Sequence, residues 1–303
     1  MDMTWECLVV GGGAAGLSAA LVLGRARRRT LVIDAGRQSN LAAHGVGGLL
    51  GHDGRPPAEL YELGRKELQR YPSVEVRAGE VHTVARGDGF DVELSDGTHT
   101  RTRRLLLAMG MEYRSPSVPG LSELWGGSVF HCPFCHGWEV RDQPLAVLAQ
   151  GERALHMARL LRGWSDDVVV LTNGTGELTA DTRACLDAGK VPVDERPIAQ
   201  LDSAVGELEA VVFADGSRLP RRGLLVTTTL HQRTGLAAQL GVTFVAAGPV
   251  SVEAVEVDAL SRTSVPGVFA AGDVCTQMPQ VAAAIAAGSA AAASMVQSLM
   301  EEE

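Results

Sequence analysis

Residues 7–16 read Cys7-Leu8-Val9-Val10-Gly11-Gly12-Gly13-Ala14-Ala15-Gly16, and a helical pattern continues from there through Leu23. A second apolar run, Thr30-Leu31-Val32-Ile33, ends on Asp34. Apolar run, glycine turn, helical periodicity and a second apolar run make a βαβ unit within the first 34 residues. Gly11, Gly13 and Gly16 fill the G-x-G-x-x-G spacing of a dinucleotide site. The first glycine makes the tight turn, the second lets a pyrophosphate reach the backbone, and the third lets helix and strand pack closely. The phosphates then face the helix N-terminus. Asp34, closing the second strand, is placed to hydrogen-bond a ribose. A glycine turn without a ligand would leave that acid unexplained.

Outward from this unit, Val74-Glu75-Val76 and Phe90-Asp91-Val92-Glu93-Leu94 alternate like a β-ribbon, with Asp96-Gly97 as a turn. The apolar strand Leu105-Leu106-Leu107-Ala108 precedes Pro116, Pro119 and Gly120, where a domain boundary is expected. The pattern then repeats: strand Leu145–Leu148, a helix over 152–162, strand Val168–Leu171, then Val211–Phe213 and Leu224–Val226. A last strand, Val268-Phe269-Ala270-Ala271, runs into Gly272-Asp273 and a long alanine-rich helix. The expected architecture is α/β, with two Rossmann-like, three-layer ββα dinucleotide-binding domains. Residues 1–115 and 247–303 form a discontinuous first domain, and 116–246 form an inserted second one.

The Gly272-Asp273 pair and the Pro279-Gln280-Val281 stretch that opens the last helix identify the dinucleotide. An acid after a glycine can hold a ribityl chain, and a helix N-terminus can stabilise negative charge on a reduced ring. FAD fits this better than NAD.

The net charge of −9 argues against a nucleic-acid partner, since no basic face is available to neutralise phosphates. The cluster Arg25–Arg29 reads as a solvated helix end. Residues 7–24 and 281–300 are nearly charge-free. The first carries the glycine fingerprint and the second is mostly alanine, and neither has the layout of a signal peptide or membrane anchor. A cytoplasmic protein is expected. In that compartment five cysteines point to a metal or a catalytic pair rather than a structural disulfide framework.

The pair is found at His131-Cys132-Pro133-Phe134-Cys135-His136. C-x-x-C lets two sulfurs bond within one helical turn, and a helix N-terminus lowers a thiol's pKa. Beside a dinucleotide site this spacing favours redox chemistry over three competitors. Haem attachment at Cys-His needs export. A zinc site would crowd four ligands into six residues with no second C-x-x-C. A buried structural pair is the third. Cys7, Cys185 and Cys275 have no partner at motif spacing and are expected in the core.

The order of FAD fingerprint, central C-x-x-C, second βαβ unit and terminal Gly-Asp before a helix resembles the low-molecular-weight thioredoxin reductases over essentially all 303 residues. The resemblance implies FAD contacts at Gly11, Gly13, Ala15, Gly16, Asp34, Gly272, Asp273, Gln280 and Val281. It sets Cys135 against the flavin, leaves Cys132 facing the substrate, and implies a homodimer. The sequence departs from that family's pattern at three places. His136 follows the second cysteine where the family has an acid. Ala149-Gln150-Gly151-Glu152-Arg153-Ala154 stands where a G-x-G-x-x-A binds NADPH, adding the negative charge of Glu152. Thr172-Asn173-Gly174 replaces the arginines that hold the 2′-phosphate.

The stretch Cys132-Pro133-Phe134-Cys135-His136-Gly137-Trp138-Glu139 is similar to the FAD-dependent dithiol oxidases that close disulfides in natural products such as gliotoxin, holomycin and romidepsin. This branch implies a small-molecule dithiol substrate of the holomycin type, O₂ as electron acceptor giving hydrogen peroxide, and no need of NADPH. His136 is then the candidate base, its ordinary pKa of about 6.5 suiting that role; the competing role is a capping or packing residue. Two other functions compete: a reductase fed by NADPH or another donor, and a flavin redox sensor without turnover.

Overall fold

The computed structural model describes residues 4–174, 178–276 and 278–301. They divide into two compact units: Met1–Leu41 with Pro56–Arg114 and Thr229–Glu303, and Ala42–Arg55 with Ser115–Thr228.

The first unit is built on a seven-stranded sheet. Four strands run parallel side by side in the order Val74–Ala78, Thr30–Asp34, Thr4–Val10, His99–Leu107, and Val268–Ala270 also pairs with the last of these. Gly89–Leu94 and Val81–Gly87 continue the sheet as an antiparallel ribbon. Side chains alternate across a strand, so each apolar run feeds two layers. Cys7, Val9, Val32, Leu106 and Phe269 pack against the helices Ala14–Arg25 and Val281–Met300. Leu8, Val10, Ile33, Leu105, Leu107 and Val268 pack on the opposite side, with the ribbon residues Val84, Phe90 and Val92. This is the expected ββα plan. The C-terminal helix is long and apolar enough to cross a membrane; here it lies along Ala14–Arg25, where a Cβ on Gly288 would collide with the Ala15 carbonyl.

The second unit repeats the plan. Five parallel strands stand in the order Val193–Asp194, Val168–Leu171, Leu145–Leu148, Gly223–Val226, Val129–Phe130. Helices Gly151–Leu161 and Ala180–Ala188 cover one face, and the antiparallel strands Ile198–Ala204, Glu207–Phe213 and Arg218–Pro220 cover the other.

The boundaries differ from those expected in two places. Residues 229–246 belong to the first unit rather than the second, because Thr229–Gln232 pairs antiparallel with Met111–Arg114 and Leu236, Ala237 and Val242 are buried in the first unit's core. Residues 42–55 belong to the second unit rather than the first. There a Cβ on Gly126, whose φ is +85°, would stand 2.7 Å from the Ala42 carbonyl carbon, and one on Gly47 would stand 2.8 Å from the Cys135 carbonyl oxygen. Of the three unpaired cysteines, Cys7 is buried as expected, while Cys185 and Cys275 are only partly buried.

Candidate active site

Parallel register explains why the residues singled out in the first unit converge. Val10 pairs with Ile33 and with Leu107, and Leu107 pairs with Ala270. Everything just beyond these residues therefore lies along one edge of the sheet: Gly11, Asp34, Gly272 and Asp273. Hydrogen bonds from Gly11 N to Ile33 O (2.8 Å) and from Ala271 N to Leu107 O (3.0 Å) fix that edge. Open α/β sheets bind ligands outside the carboxyl ends of their strands.

Gly11 has φ +110° and backs onto the Ala108 carbonyl, and a Cβ on Gly16 would collide with the Gly11 carbonyl. These two glycines make the turn and the close packing. Gly13 differs: its Cβ position is open, with Gln38 Cγ the nearest atom at 3.6 Å. That leaves room over the start of helix Ala14–Arg25 for a pyrophosphate. Ala15 lies on the helix's first turn beneath Gly272, whose own Cβ would stand 2.9 Å from it.

Asp34 is surrounded by groups the sequence does not single out. Gln38 donates its amide to Asp34 Oδ1 at 3.0 Å and to the Gly12 carbonyl at 3.2 Å. Gly36 N donates to Asp34 Oδ1 at 2.9 Å, and Arg65 stands 3.7 Å from Oδ2. A cleft of about 1080 Å³ opens beside Asp34, lined by Arg37, Gln38, Leu41, Tyr61 and Arg65 among others. Burial pushes the Tyr61 phenol up to about 12, so it remains a neutral donor, and it bonds Asn40 at 2.8 Å.

At the other end of the edge, Tyr113 donates to Asp273 Oδ2 at 3.0 Å. Burial raises the Asp273 carboxyl above its ordinary range, while the Tyr113 hydroxyl and Arg233 pull it back. Gln280 stands at the N-cap of Val281–Met300, and that helix start is the one expected to face a flavin ring. Tyr113, Gln38 and Arg65 escape a reading of the sequence. Their only signal is three-dimensional, because each is brought to the site by strand pairing, by the turn after Asp34 or by the helix Pro57–Leu68.

In the second unit Cys132 and Cys135 form a disulfide with Cα atoms 5.3 Å apart. Cys132 is the N-cap of a single helical turn, Pro133–His136, and its carbonyl accepts from Cys135 N and His136 N, each at 3.2 Å. Proline at the first helical position pre-sets the turn and removes a donor that would lack a partner. The His136 ring stacks on Phe130 at 5.7 Å, and among the described residues no group makes a well-aligned hydrogen bond to either ring nitrogen, although the backbone of Gly126 and Cys132 approaches it. Burial lowers its pKa below the ordinary histidine value, with Glu139 and the backbone of Gly126 and Cys132 opposing the shift and His44 adding to it. His131, stacked on Trp125, is pushed down to about 4 by burial and by His136. Both imidazoles are therefore neutral near pH 7. Phe134 and Trp138, flanking the second cysteine, are exposed.

A Cys132–Cys135 disulfide in one ββα unit and a glycine-turn strand edge in the other agree with the comparisons to known proteins. The profile of the pyridine nucleotide-disulphide oxidoreductases matches residues 5–288. The protein belongs to that family. It is 34% identical to thioredoxin reductase tcpT of Claviceps purpurea, over 93% of its own length and 90% of the relative's. It is 33% identical to thioredoxin reductase aclD of Aspergillus oryzae, over 99% and 98%. The crystal structure of HlmI superposes with a TM-score of 0.93 at 39% identity, covering 100% of this protein and 96% of that one. This member of the family is thus a thioredoxin reductase-like, FAD-binding disulfide oxidoreductase.

The first unit fits that cofactor. The open position at Gly13, the acid at Asp34 beside its cleft, and the Asp273 carboxyl would hold pyrophosphate, ribose and ribityl groups respectively.

Proposed function

We propose that this protein is a dithiol oxidase that closes a disulfide in a small-molecule dithiol of the holomycin type, using O₂ rather than NADPH. The observation that carries this reading is the state of the second unit's nucleotide turn. Ala149 is buried where the family's tight-turn glycine would be, and the Gln150 amide donates to the Thr172 carbonyl at 3.2 Å, tying the turn to the neighbouring strand end. Glu152 sits in the first turn of the helix, where an anion would need positive charge, and Arg153 is directed at the Thr228 carbonyl. At the adjacent strand end, Asn173 Oδ1 accepts from Ile198 N at 2.7 Å. Side chains that would have to read a nucleotide are spent on the protein itself.

In the proposed reaction the substrate's first thiol loses its proton to His136, and the thiolate attacks Cys132 Sγ. The Cys132–Cys135 bond breaks, leaving a substrate–Cys132 mixed disulfide and a Cys135 thiolate. The second substrate thiolate then attacks the substrate sulfur bonded to Cys132, releasing the cyclic disulfide and the reduced Cys132–Cys135 pair. FAD, when bound, supplies the two-electron acceptor that restores the Cys132–Cys135 disulfide and passes the electrons to O₂. His136 suits the first step because its half-buried ring, stacked on Phe130 next to the cysteine pair, is neutral at working pH. We also place the reaction in the cytoplasm, with the protein as a homodimer.

The deciding experiment is anaerobic. Millimolar NADPH should leave the flavin absorbance unchanged, whereas a small dithiol should bleach it, and air should restore it with release of hydrogen peroxide. The competing reading, reduction by NADPH, draws on the relatives called thioredoxin reductases. Rapid bleaching by NADPH would establish it instead.

A further inference from the structure

A carboxylate accepts hydrogen bonds at about four lone-pair sites, two on each oxygen. At Asp34 the two oxygens are used differently. Oδ1 takes Gly36 N at 2.9 Å and the Gln38 amide at 3.0 Å, which fills it. Oδ2 takes the same amide at a longer 3.3 Å and faces the Arg65 guanidinium at 3.7 Å, so it keeps capacity for a further donor. Against the carboxylate stands the middle glycine of the fingerprint: a Cβ on Gly12 would come within 2.4 Å of both Asp34 Cγ and Oδ2. The acid is pressed onto the turn, and position 12 has no room for a side chain.

Gln38 ties these parts together. Its amide nitrogen carries two hydrogens and meets acceptors on both sides, the Asp34 carboxylate and, at 3.2 Å, the Gly12 carbonyl. Because both neighbours are acceptors, the nitrogen of the amide and not its oxygen must face them. The stem runs past the fingerprint, with Cγ 3.6 Å from the place that a Cβ on Gly13 would take. One side chain thus touches the glycine turn, the open position at Gly13 and the acid.

We infer that Gln38 is a positioning residue for FAD, holding Asp34 against the Gly11–Gly13 turn so that Oδ2 stays free for a ribose hydroxyl beside the pyrophosphate. The inference rests on the assignment of FAD to the first unit. Without the amide, the Gly12 carbonyl and the Asp34 carboxylate would stand beside each other's turn with no donor joining them, and Arg65 would draw the carboxylate off the fingerprint. Gln38 acts at the adenosine end of the cofactor and through Asp34, and both statements can be measured.

The test follows release of flavin fluorescence from the FAD-loaded, full-length protein, first on dilution and then on displacement by ADP. Gln38→Leu keeps the stem and removes both donors, and its Kd for FAD should rise about tenfold, as for loss of one hydrogen bond to a charged group. ADP carries the adenosine end alone, so the ratio of ADP to FAD that displaces half the flavin should stay at the wild-type value. Gln38→Glu, of the same shape, sets a carboxylate against two acceptors and should bind FAD more weakly than Gln38→Leu. Added to Asp34→Ala, Gln38→Leu should cost less than about twofold more, because losses at coupled residues do not multiply. An unchanged Kd in Gln38→Leu overturns the inference, as does a Gln38→Glu that binds like the wild type. So does a fall in the displacing ratio, which would put Gln38 at the flavin end, and so do losses that multiply with Asp34→Ala, which would make it an independent packing residue. A wild type that binds no FAD takes the cofactor assignment down with it; a wild type that binds FAD beside an unaffected Gln38→Leu removes this inference alone.

Discussion

Tyr113 donates its hydroxyl hydrogen to Asp273 Oδ2 at 3.0 Å, joining two residues 160 positions apart in the sequence. The bond holds the carboxylate in one orientation at the edge proposed here to take the ribityl group of FAD. Tyr113→Phe should weaken FAD binding about tenfold, near the low end of the roughly 1.5–3 kcal/mol of a hydrogen bond to a charged group. Flavin fluorescence on stepwise dilution measures it, and an unchanged dissociation constant would show that Asp273 is positioned without help.

The same carboxylate destabilises the empty protein. Its folded pKa is raised by burial, so between the ordinary value of 3.8 and the raised one the native state binds more protons than the unfolded state. Stability therefore falls as pH rises through that window, and the penalty persists at pH 7. Asp273→Asn should melt at a higher temperature than wild type without FAD and lose the stabilisation that FAD gives. Thermal melts with and without added FAD test both halves.

Two glycines of the same fingerprint should behave differently on substitution. Gly16→Ala drives a methyl into the Gly11 carbonyl and should cost at least the ~1–3 kcal/mol typical of overpacking. Gly13→Ala meets only Gln38 Cγ at 3.6 Å, so denaturant midpoints of the FAD-free protein should barely move while flavin content drops. Equal loss of stability in both variants would contradict the assignment of Gly13 to the ligand.

The cysteines should divide their labour. Cys135→Ser leaves Cys132 able to be captured, and a mixed disulfide with the substrate should appear in the intact mass after mild oxidation. Cys132→Ser should abolish turnover and trap nothing. Full activity in either variant would remove the pair from the mechanism.

Burial of His131 and His136 has an acid-stability consequence. Both folded pKa values are lowered, so as pH falls below 6.5 the unfolded state takes up protons that the native state refuses. Stability is full above 6.5 and declines toward pH 4; His131, moved from 6.5 to about 4, accounts for on the order of 3 kcal/mol. His131→Gln should flatten the slope between pH 6.5 and 4 in urea titrations, and an unaltered slope would place the acid sensitivity elsewhere.

Much of this is legible in the sequence because it is local. Gly11–Gly16, Asp34 and Gly272-Asp273 lie at the ends of apolar runs, where period and punctuation mark them, and parallel pairing brings those ends together. The C-x-x-C announces itself by spacing. What stays hidden depends on distant segments meeting. Nothing around Tyr113 suggests an acid at 273. Nothing around Thr229–Gln232 suggests its partner at Met111–Arg114, so the expected end of the second domain, 246, overshoots the observed one, Thr228.

The placement of residues 42–55 makes the backbone pass between the two compact units four times, at 41/42, 55/56, 114/115 and 228/229. Neither unit is a continuous stretch that could be excised, expressed and regrafted. A fragment cut at 115 and 228 would leave the Cys135 carbonyl and Gly126 without the loop that covers them. A proteolytic nick within 42–55 would loosen the segment packed against the Cys135 backbone while leaving every named strand intact. In modular terms, the redox motif travels with a short segment encoded well upstream of it, and any recombination that swaps C-x-x-C domains between relatives has to carry both pieces.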